Sequence, residues 1–343
     1  MPVLNTELLS RCDLIRERMD DAQRVARLRP PSLSDGRVDA VLDTDTFNEI
    51  DDQFALAYLL LSPKQIRTQA VYAAPFENAH RAETPAEGMR QSYDEALRVF
   101  DRLGRTDGPA IARRGAERWL KDADPAPNPA TQDLTERAMS RPIDGPPLYV
   151  LAIGAPTNVS TALLLEPALA ERIVVVWLGG HPNGWRHTHE FNLMQDPPAT
   201  RVLLDSGVPL VRVPCINVAQ RLRTCVPELR EALSGRNALC DFLFERFAEY
   251  EDYERPGRER NNGGRPVAYG KEIWDVSVVA WLVDPDWCPS QLTPSPQLTT
   301  TADGLLRWSI DPHRHTIREL DEIDRDAVFG DMLAKLTGQA DPS

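Results

Sequence analysis

What most constrains this chain is the recurrence, from Arg37 onward, of short unbroken apolar runs separated by stretches of helical pattern. The runs "RVDAVLD", "IRTQAVYAAP", "PLYVLAIGAPTN", "RIVVVWLGG" and "VPLVRVPC" are rich in β-branched residues and do not alternate apolar with polar. Strands with that pattern are buried on both faces. Between them lie "DDQFALAYLLLSP", stopped by Pro63, then "PAEGMRQSYDEALRVFDRLG", ending at Gly104, and "VSTALLLEPALAE". Helical crossovers between doubly buried strands require parallel pairing and right-handed connections. The expected class is α/β: a doubly wound, mostly parallel sheet. "GPAIARRG" reads as a short third strand, "LRWSIDPHRHTIREL" as a β-hairpin turning at "DPHR", and "DRDAVFGDMLAKL" as a closing helix.

Residues 1–36 stand apart as an appended N-terminal helix. Leu8, Leu9, Cys12, Ile15 and Met19 fall at helical spacing before the break "RPPSLSDG". This extension is expected to pack on the body or on a partner subunit, leaving 37–343 as the catalytic domain. Residues 249–270 form one long polar, Gly-containing segment, a candidate lid, since long loops are mobile or functional.

A formal net charge of −13 argues against nucleic-acid polymers and anionic membranes, which are held by clustered Lys and Arg. It leaves a single nucleoside or nucleotide open as a ligand. The five cysteines (Cys12, Cys215, Cys225, Cys240 and Cys288) contain no C-x-x-C pair and leave an odd one over. That pattern reads as reduced thiols rather than a disulfide framework or zinc site. With no basic, apolar leader at its start and no run long enough to span a bilayer, the expected location is the cytoplasm.

The chemistry concentrates in "VLDTDTFNEIDDQFALAYLLLSP", residues 41–63. Asp43 and Asp45 end the first strand, and Asp51 and Asp52 open the next helix. Ligands of open parallel sheets bind beyond the carboxyl ends of the strands. A helix N-terminus accommodates one or two carboxylates. Four in a partly buried cleft repel by several kcal/mol, a cost removed by a hard divalent cation such as Ca²⁺ or Mg²⁺. Two other chemistries place D-x-D after a strand. A haloacid-dehalogenase-like phosphatase would use Asp43 as nucleophile, but its second acidic pair normally lies far downstream. A metal-dependent glycosyltransferase would need a nucleotide-sugar domain upstream, where only about forty residues precede the site.

"DTDTFNEIDD" resembles the D-x-D…D-D signature of the inosine-uridine nucleoside hydrolase family. In the same order, "LAIGAPTNVSTAL" resembles that family's G-P-L-T-N turn and "VVVWLGG" its M-G-G strand end. "HEFNLMQDPPAT" resembles its E-F-N…D-P-x-A segment, and "KEIWDVSVVAWLVDP" its C-terminal H-D…A segment. The matches run from about residue 38 to 340.

The resemblance implies hydrolysis of a ribonucleoside N-glycosidic bond with a tightly held Ca²⁺, and a homodimer or homotetramer. By position, Asp45, Asp52, Asp275 and the Thr157 carbonyl would hold the ion, with Asp45 also taking the proton from the attacking water. Asp51, Glu190 and Asn192 would bind the ribose hydroxyls; Asn78, Asn183 and Asn48 are weaker candidates for substrate contact. His187 and His189 match no functional position and are expected in a loop.

Two departures bear on function. The interval from Asp45 to Asp51 is two residues longer than the family's common form, with "TFNEI" where a Gly is usual. Trp274 stands before Asp275, where many members carry His. An indole cannot protonate a leaving base but can stack on one, which suggests a purine or other flat base. A catalytically impaired nucleoside- or ribose-binding protein, and a hydrolase of a specialised N-riboside, are the readings this leaves beside the main one.

Overall fold

The computed structural model describes residues 6–32, 34, 36–122, 124–254 and 270–339. In chain order its strands are β1 (Val38–Thr44), β2 (Ile66–Ala73), β3 (Ala112–Arg114), β4 (Leu148–Ala152), β5 (Ile173–Leu178) and β6 (Leu210–Val213). There follow β7 (Arg223–Thr224), β8 (Lys271–Glu272), β9 (Ser290–Pro294), β10 (Gln297–Thr300), β11 (Leu306–Ser309) and β12 (Thr316–Leu320). Eight of them form one sheet in the order β3-β2-β1-β4-β5-β6-β12-β9. All neighbours pair in parallel except β9, which runs antiparallel to β12 at the edge. The order reverses between β1 and β4, so their carboxyl ends diverge into a crevice.

The apolar runs have the two-sided burial their composition implies. Leu42, Leu151, Val176 and Val211 face one core with Phe54 and Trp281. Val41, Val150, Val175 and Leu210 face the other with Val159 and Leu203. Successive strand residues point to opposite faces, so each run serves both cores. The helices Asp52–Leu60 and Val276–Val283 are buried along their whole lengths, which explains their lack of a polar face. Both begin at an aspartate of the acidic set.

Three expectations about elements are corrected. The N-terminal extension is two helices, Thr6–Arg16 and Asp21–Arg27. Asp20 caps the second, its carboxylate taking the Gln23 N–H while the Gln23 side chain accepts from the Asp20 N–H. The extension packs on its own chain: Cys12 and Ile15 are buried, Arg16 Nη1 donates to the Asp205 carbonyl (2.9 Å) and Arg24 Nε to the Gly207 carbonyl (2.6 Å). The segments flanking "DPHR" are not a hairpin. β11 pairs with β10, while β12 joins the main sheet beside β6, burying Ile317 and Leu320. Burial of that apolar pair in the sheet outweighs the proximity of the local turn. Finally, the helix Ala238–Glu254 takes up the start of the polar segment 249–270, and 255–269 lie outside the described residues.

All five cysteines are free, and four are buried. Among the described residues no helix is long and apolar enough to cross a membrane.

Candidate active site

Beyond the carboxyl ends of β1, β4, β5 and β6 lies a cavity of about 230 Å³. Its wall brings together Asp45, Asn48, Asp51 and Asp52 from the β1 loop, Trp274 and Asp275 from before the helix Val276–Val283, and Glu190 and Asn192 from the segment after β5. Carboxylate oxygens of Asp51, Asp52 and Asp275 lie within 4.8 Å of one another, across more than two hundred residues of sequence. Asp45 closes the group from the end of β1. Its approach depends on Gly154, where an added Cβ would stand 3.0 Å from Asp45 Oδ1 and 3.1 Å from its Cγ.

The loop after β1 is tightly tied. The Asn48 N–H donates to the Asp45 carbonyl (2.7 Å), and Asn78 Nδ2 donates to Asn48 Oδ1 (2.6 Å). Glu49 is on the cavity wall and forms an ion pair with Lys271. Phe47 has the guanidinium groups of Arg81 and Arg246 near its ring, at 4.8 and 5.3 Å from the centroid. Asp51 occupies the N-cap position of the next helix, yet its side chain caps nothing; it is turned toward the Asp275 N–H at 3.4 Å. Helix capping therefore does not account for it.

Electrostatically this arrangement is costly without a counter-ion. All four carboxylates are buried. Burial, then repulsion from Asp52 and Asp51, pushes the Asp45 carboxyl far above its ordinary range. Asp275 is raised likewise by burial and by Asp51, Asp52 and Asp45. Burial and Asp51 lift Asp52 to about 8, while Asp51 reaches only about 6, because Lys271 offsets part of its desolvation. Asp45 Oδ2 is buried with no hydrogen-bond partner among the described residues. An acceptor-only oxygen set of this kind fits a hard divalent cation.

The remaining candidate residues separate by placement. Glu190 caps the helix Phe191–Gln195 and is clamped by the N–H groups of Gly180 (2.9 Å), Asn192 (2.9 Å) and Leu193 (3.1 Å). Asn192 spends its amide on the carbonyls of Ile153 and Leu178, both at 3.1 Å, stitching the β4 and β5 ends together. Asn78 is off the wall, supporting Asn48. Asn183 is off it too: its Oδ1 accepts from the buried Arg212 at 2.7 Å. Thr157 begins the helix Thr157–Leu165, its hydroxyl donating to Asp196 (2.9 Å), and does not line the cavity. Trp274 is half-buried on the wall, whereas Trp281 is core, 6.3 Å from the Tyr149 ring.

Asp43 stays inside the sheet. Asn158 donates to its Oδ1 (2.8 Å), burial lifts its pKa to about 7, and it does not reach the cavity. It has no opening through which to act as a phosphatase nucleophile. Asn158 also accepts from the Ala116 N–H (2.7 Å) and donates to the Ala73 carbonyl (3.2 Å). Asn158→Ala is expected to destabilise by about 2–4 kcal/mol, since it strands a buried N–H and a carboxyl together. Urea unfolding measures it, and a loss below about 0.5 kcal/mol would contradict this account.

Sequence reasoning missed Glu49, His181, Phe191 and Cys215 on the wall. His181 had a usable signal, three residues beyond a strand carboxyl end. The His187 ring lies 5.6 Å from that of His181 and 5.5 Å from that of His189, tilted by 57° and 60°.

A sequence model of the family described as inosine-uridine preferring nucleoside hydrolase matches residues 40–330. The pyrimidine-specific ribonucleoside hydrolase RihA of Klebsiella pneumoniae is 26% identical over 259 residues, 69% of this chain and 77% of that protein. RihA of Escherichia coli O9:H4 is 25% identical over 260 residues, with the same two shares. In fold, the chain is similar to the purine-preferring ribonucleoside hydrolase from Gardnerella vaginalis (TM-score 0.64, 19% identity, 88% of this chain and 98% of that one). It is also similar to an inosine-guanosine nucleoside hydrolase (TM-score 0.67, 16% identity, 88% and 98%). The chain belongs to the inosine-uridine preferring nucleoside hydrolase family and is a hydrolase of ribonucleoside N-glycosidic bonds.

Proposed function

We propose that the chain cleaves a ribonucleoside bearing a purine or another flat base, using water and Ca²⁺. The observation that carries the reading is the convergence of four buried carboxylates on one small cavity, one of them with an unpartnered oxygen. Asp45, Asp52 and Asp275 would hold the ion; the Thr157 carbonyl, off the cavity wall, is a ligand this reading takes from family resemblance alone. A bound Ca²⁺ supplies the positive charge that cancels carboxylate repulsion, engages sugar hydroxyls and lowers the pKa of nearby water.

The chain's own groups do the rest. Asp51 holds the vicinal ribose hydroxyls, and Glu190 and Asn192, rigidly clamped, line the sugar's further rim; Asn48, held by Asn78, flanks the same space. Asp45 takes a proton from water as the oxygen bonds to C1′. The C1′–N bond breaks with its electron pair passing to the base, which takes up a proton from solvent while Asp45 later returns its own to solvent; the buried carboxylates favour the oxocarbenium-like charge between. Trp274 lies along the base. The cysteine pattern supports a cytoplasmic setting, and family resemblance supports a homodimer or homotetramer, which light scattering would measure.

Ribose release from a panel of nucleosides, with metal content measured on the same sample, tests the activity. A Ca²⁺-loaded protein that frees no ribose from any of them defeats the reading. Base preference is tested separately. Wild type is expected to favour inosine or adenosine over uridine, and Trp274→Ala to lose about 10-fold or more in kcat/KM on the purine, a stacking contact of about 1–3 kcal/mol. A clear wild-type preference for uridine would reject the role given to Trp274.

A further inference from the structure

The break "RPPSLSDG" between the N-terminal helices and β1 takes no part in the site described above. Its described residues form one wall of a second cavity, of about 530 Å³. Cavities that hold small organic ligands run from roughly 300 to 1,000 Å³. The remaining walls come from the amino ends of β1, β2 and β4 and from the loop leading into β4. Asp39 stands near the start of β1 and Asp45 just past its end, so roughly 20 Å of strand separates this cavity from the acidic one. Its charge is opposite to that of the chain. Arg27, Arg29, Arg37, Arg67 and Arg141 line it with a single carboxylate, Asp39, in a protein of formal net charge −13.

Three of the five arginines have structural roles. Arg27 Nη1 donates to the Gly145 carbonyl (2.6 Å) and Nη2 to that of Ile143, pinning the second helix to the loop before β4. Arg67 Nη2 and Arg141 Nη2 both donate to Asp39 Oδ2, at 2.7 and 2.5 Å. Burial opposes the charge on Asp39, yet the two arginines hold its pKa down at about 2, so the carboxylate stays ionised and engaged by them. Arg29 and Arg37 have no such role. Both are exposed, and among the described residues neither side chain has a hydrogen-bond or ion-pair partner. One carboxylate cannot balance five guanidinium groups, and their mutual repulsion falls when an anion enters. Guanidinium forks match phosphate oxygens in pairs, and a chain of two or three phosphoryl groups carries a charge comparable to the excess. Pro30, Pro31, Pro146, Pro147 and Tyr149 add apolar surface beside the arginines, against which a flat ring can lie. The fixed φ of the prolines shapes these walls before any ligand arrives. We propose that this cavity binds a small oligophosphate through Arg29 and Arg37, either the free phosphate chain or that of a nucleoside di- or triphosphate. The site is independent of the metal and base assignments made above.

Isothermal titration of the full chain with tripolyphosphate, ATP, ADP, AMP and orthophosphate tests the site. Tripolyphosphate and ATP are expected to bind in one equivalent, at least about 10-fold more tightly than AMP or orthophosphate, and to weaken as salt is added. The double variant Arg29→Ala/Arg37→Ala should lose about 10²-fold in affinity with its melting temperature unchanged, since both side chains are exposed and unpaired. Arg236→Ala/Arg307→Ala removes the same charge from other exposed positions and should cost at most about 3-fold. Asp45→Asn should bind as wild type does. ATP binding about 10-fold or more tighter than tripolyphosphate would support a nucleotide site, and equal affinity would support a site for the phosphate chain itself. Three results would overturn the proposal: no binding of any oligophosphate by wild type, undiminished binding by Arg29→Ala/Arg37→Ala, or an equal loss in the control pair, which would mean diffuse attraction only. A loss confined to Asp45→Asn would overturn it too, by placing the ligand in the acidic cavity. None of these outcomes bears on ribose release, so the hydrolase reading stands or falls separately.

Discussion

Asp45→Asn is expected to lower turnover by at least about 10²–10⁴-fold, the range for loss of a positioned general base, while the protein folds normally. The amide keeps the shape of the carboxyl but cannot take a proton from water. The same substitution should raise the thermal stability of the metal-free protein, because it removes one buried charge that Asp52 and Asp51 both repel. Opposite movement of activity and metal-free stability separates a functional carboxylate from a structural one. Near-wild-type ribose release by the variant would be incompatible with Asp45 as base, and a lower melting temperature would mean the carboxylate supports the fold.

The second large effect is removal of the ion. Chelation should abolish ribose release, and added Ca²⁺ should restore it and raise the melting temperature. At a free concentration one hundred times Kd the stabilisation is about 2.7 kcal/mol. The metal-free protein should also show a particular pH dependence. Asp52, Asp43 and Asp51 have folded-state values near 8, 7 and 6, all raised by burial above 3.8. In each case the folded state binds the proton more tightly than the unfolded one. The contribution is therefore fully present below about pH 4 and is lost as pH rises through about 6 to 8. Denaturant titrations should find metal-free stability falling from pH 5 to pH 8, with Ca²⁺ flattening that slope. A metal-free slope of the opposite sign would mean the carboxylates are compensated by the protein itself.

The parallel sheet was readable because β1, β4, β5 and β6 are doubly buried, and continuous β-branched runs have few other solutions. Asp45, Asp51 and Asp52 were readable because they fall where a strand ends and a helix begins. Asp275 needed family resemblance, since nothing local marks a carboxylate two hundred residues away as their neighbour. The hairpin expected at "DPHR" failed because the partner of β12 is chosen by tertiary burial of Ile317 and Leu320, which a local turn signal does not encode. Asn183, a weaker candidate, stands off the wall for a similar reason: it lies in a turn, and its Oδ1 accepts from Arg212 of β6, a partner nothing local encodes. His181 was passed over although it stands three residues beyond the carboxyl end of β5, because attention went to the carboxylates and amides of the same loop.

The docking of the N-terminal helices has a consequence for the order of folding. Arg24 is anchored to Gly207, the Asp21 carboxylate accepts from the Thr316 N–H (3.0 Å) and hydroxyl (2.7 Å), and Arg318 Nε reaches the Leu28 carbonyl (2.6 Å). The Asp21–Thr316 contact closes a loop of 295 residues. Closure over that separation costs chain entropy before any contact rewards it, so the second helix is expected to seat late, on a sheet already formed.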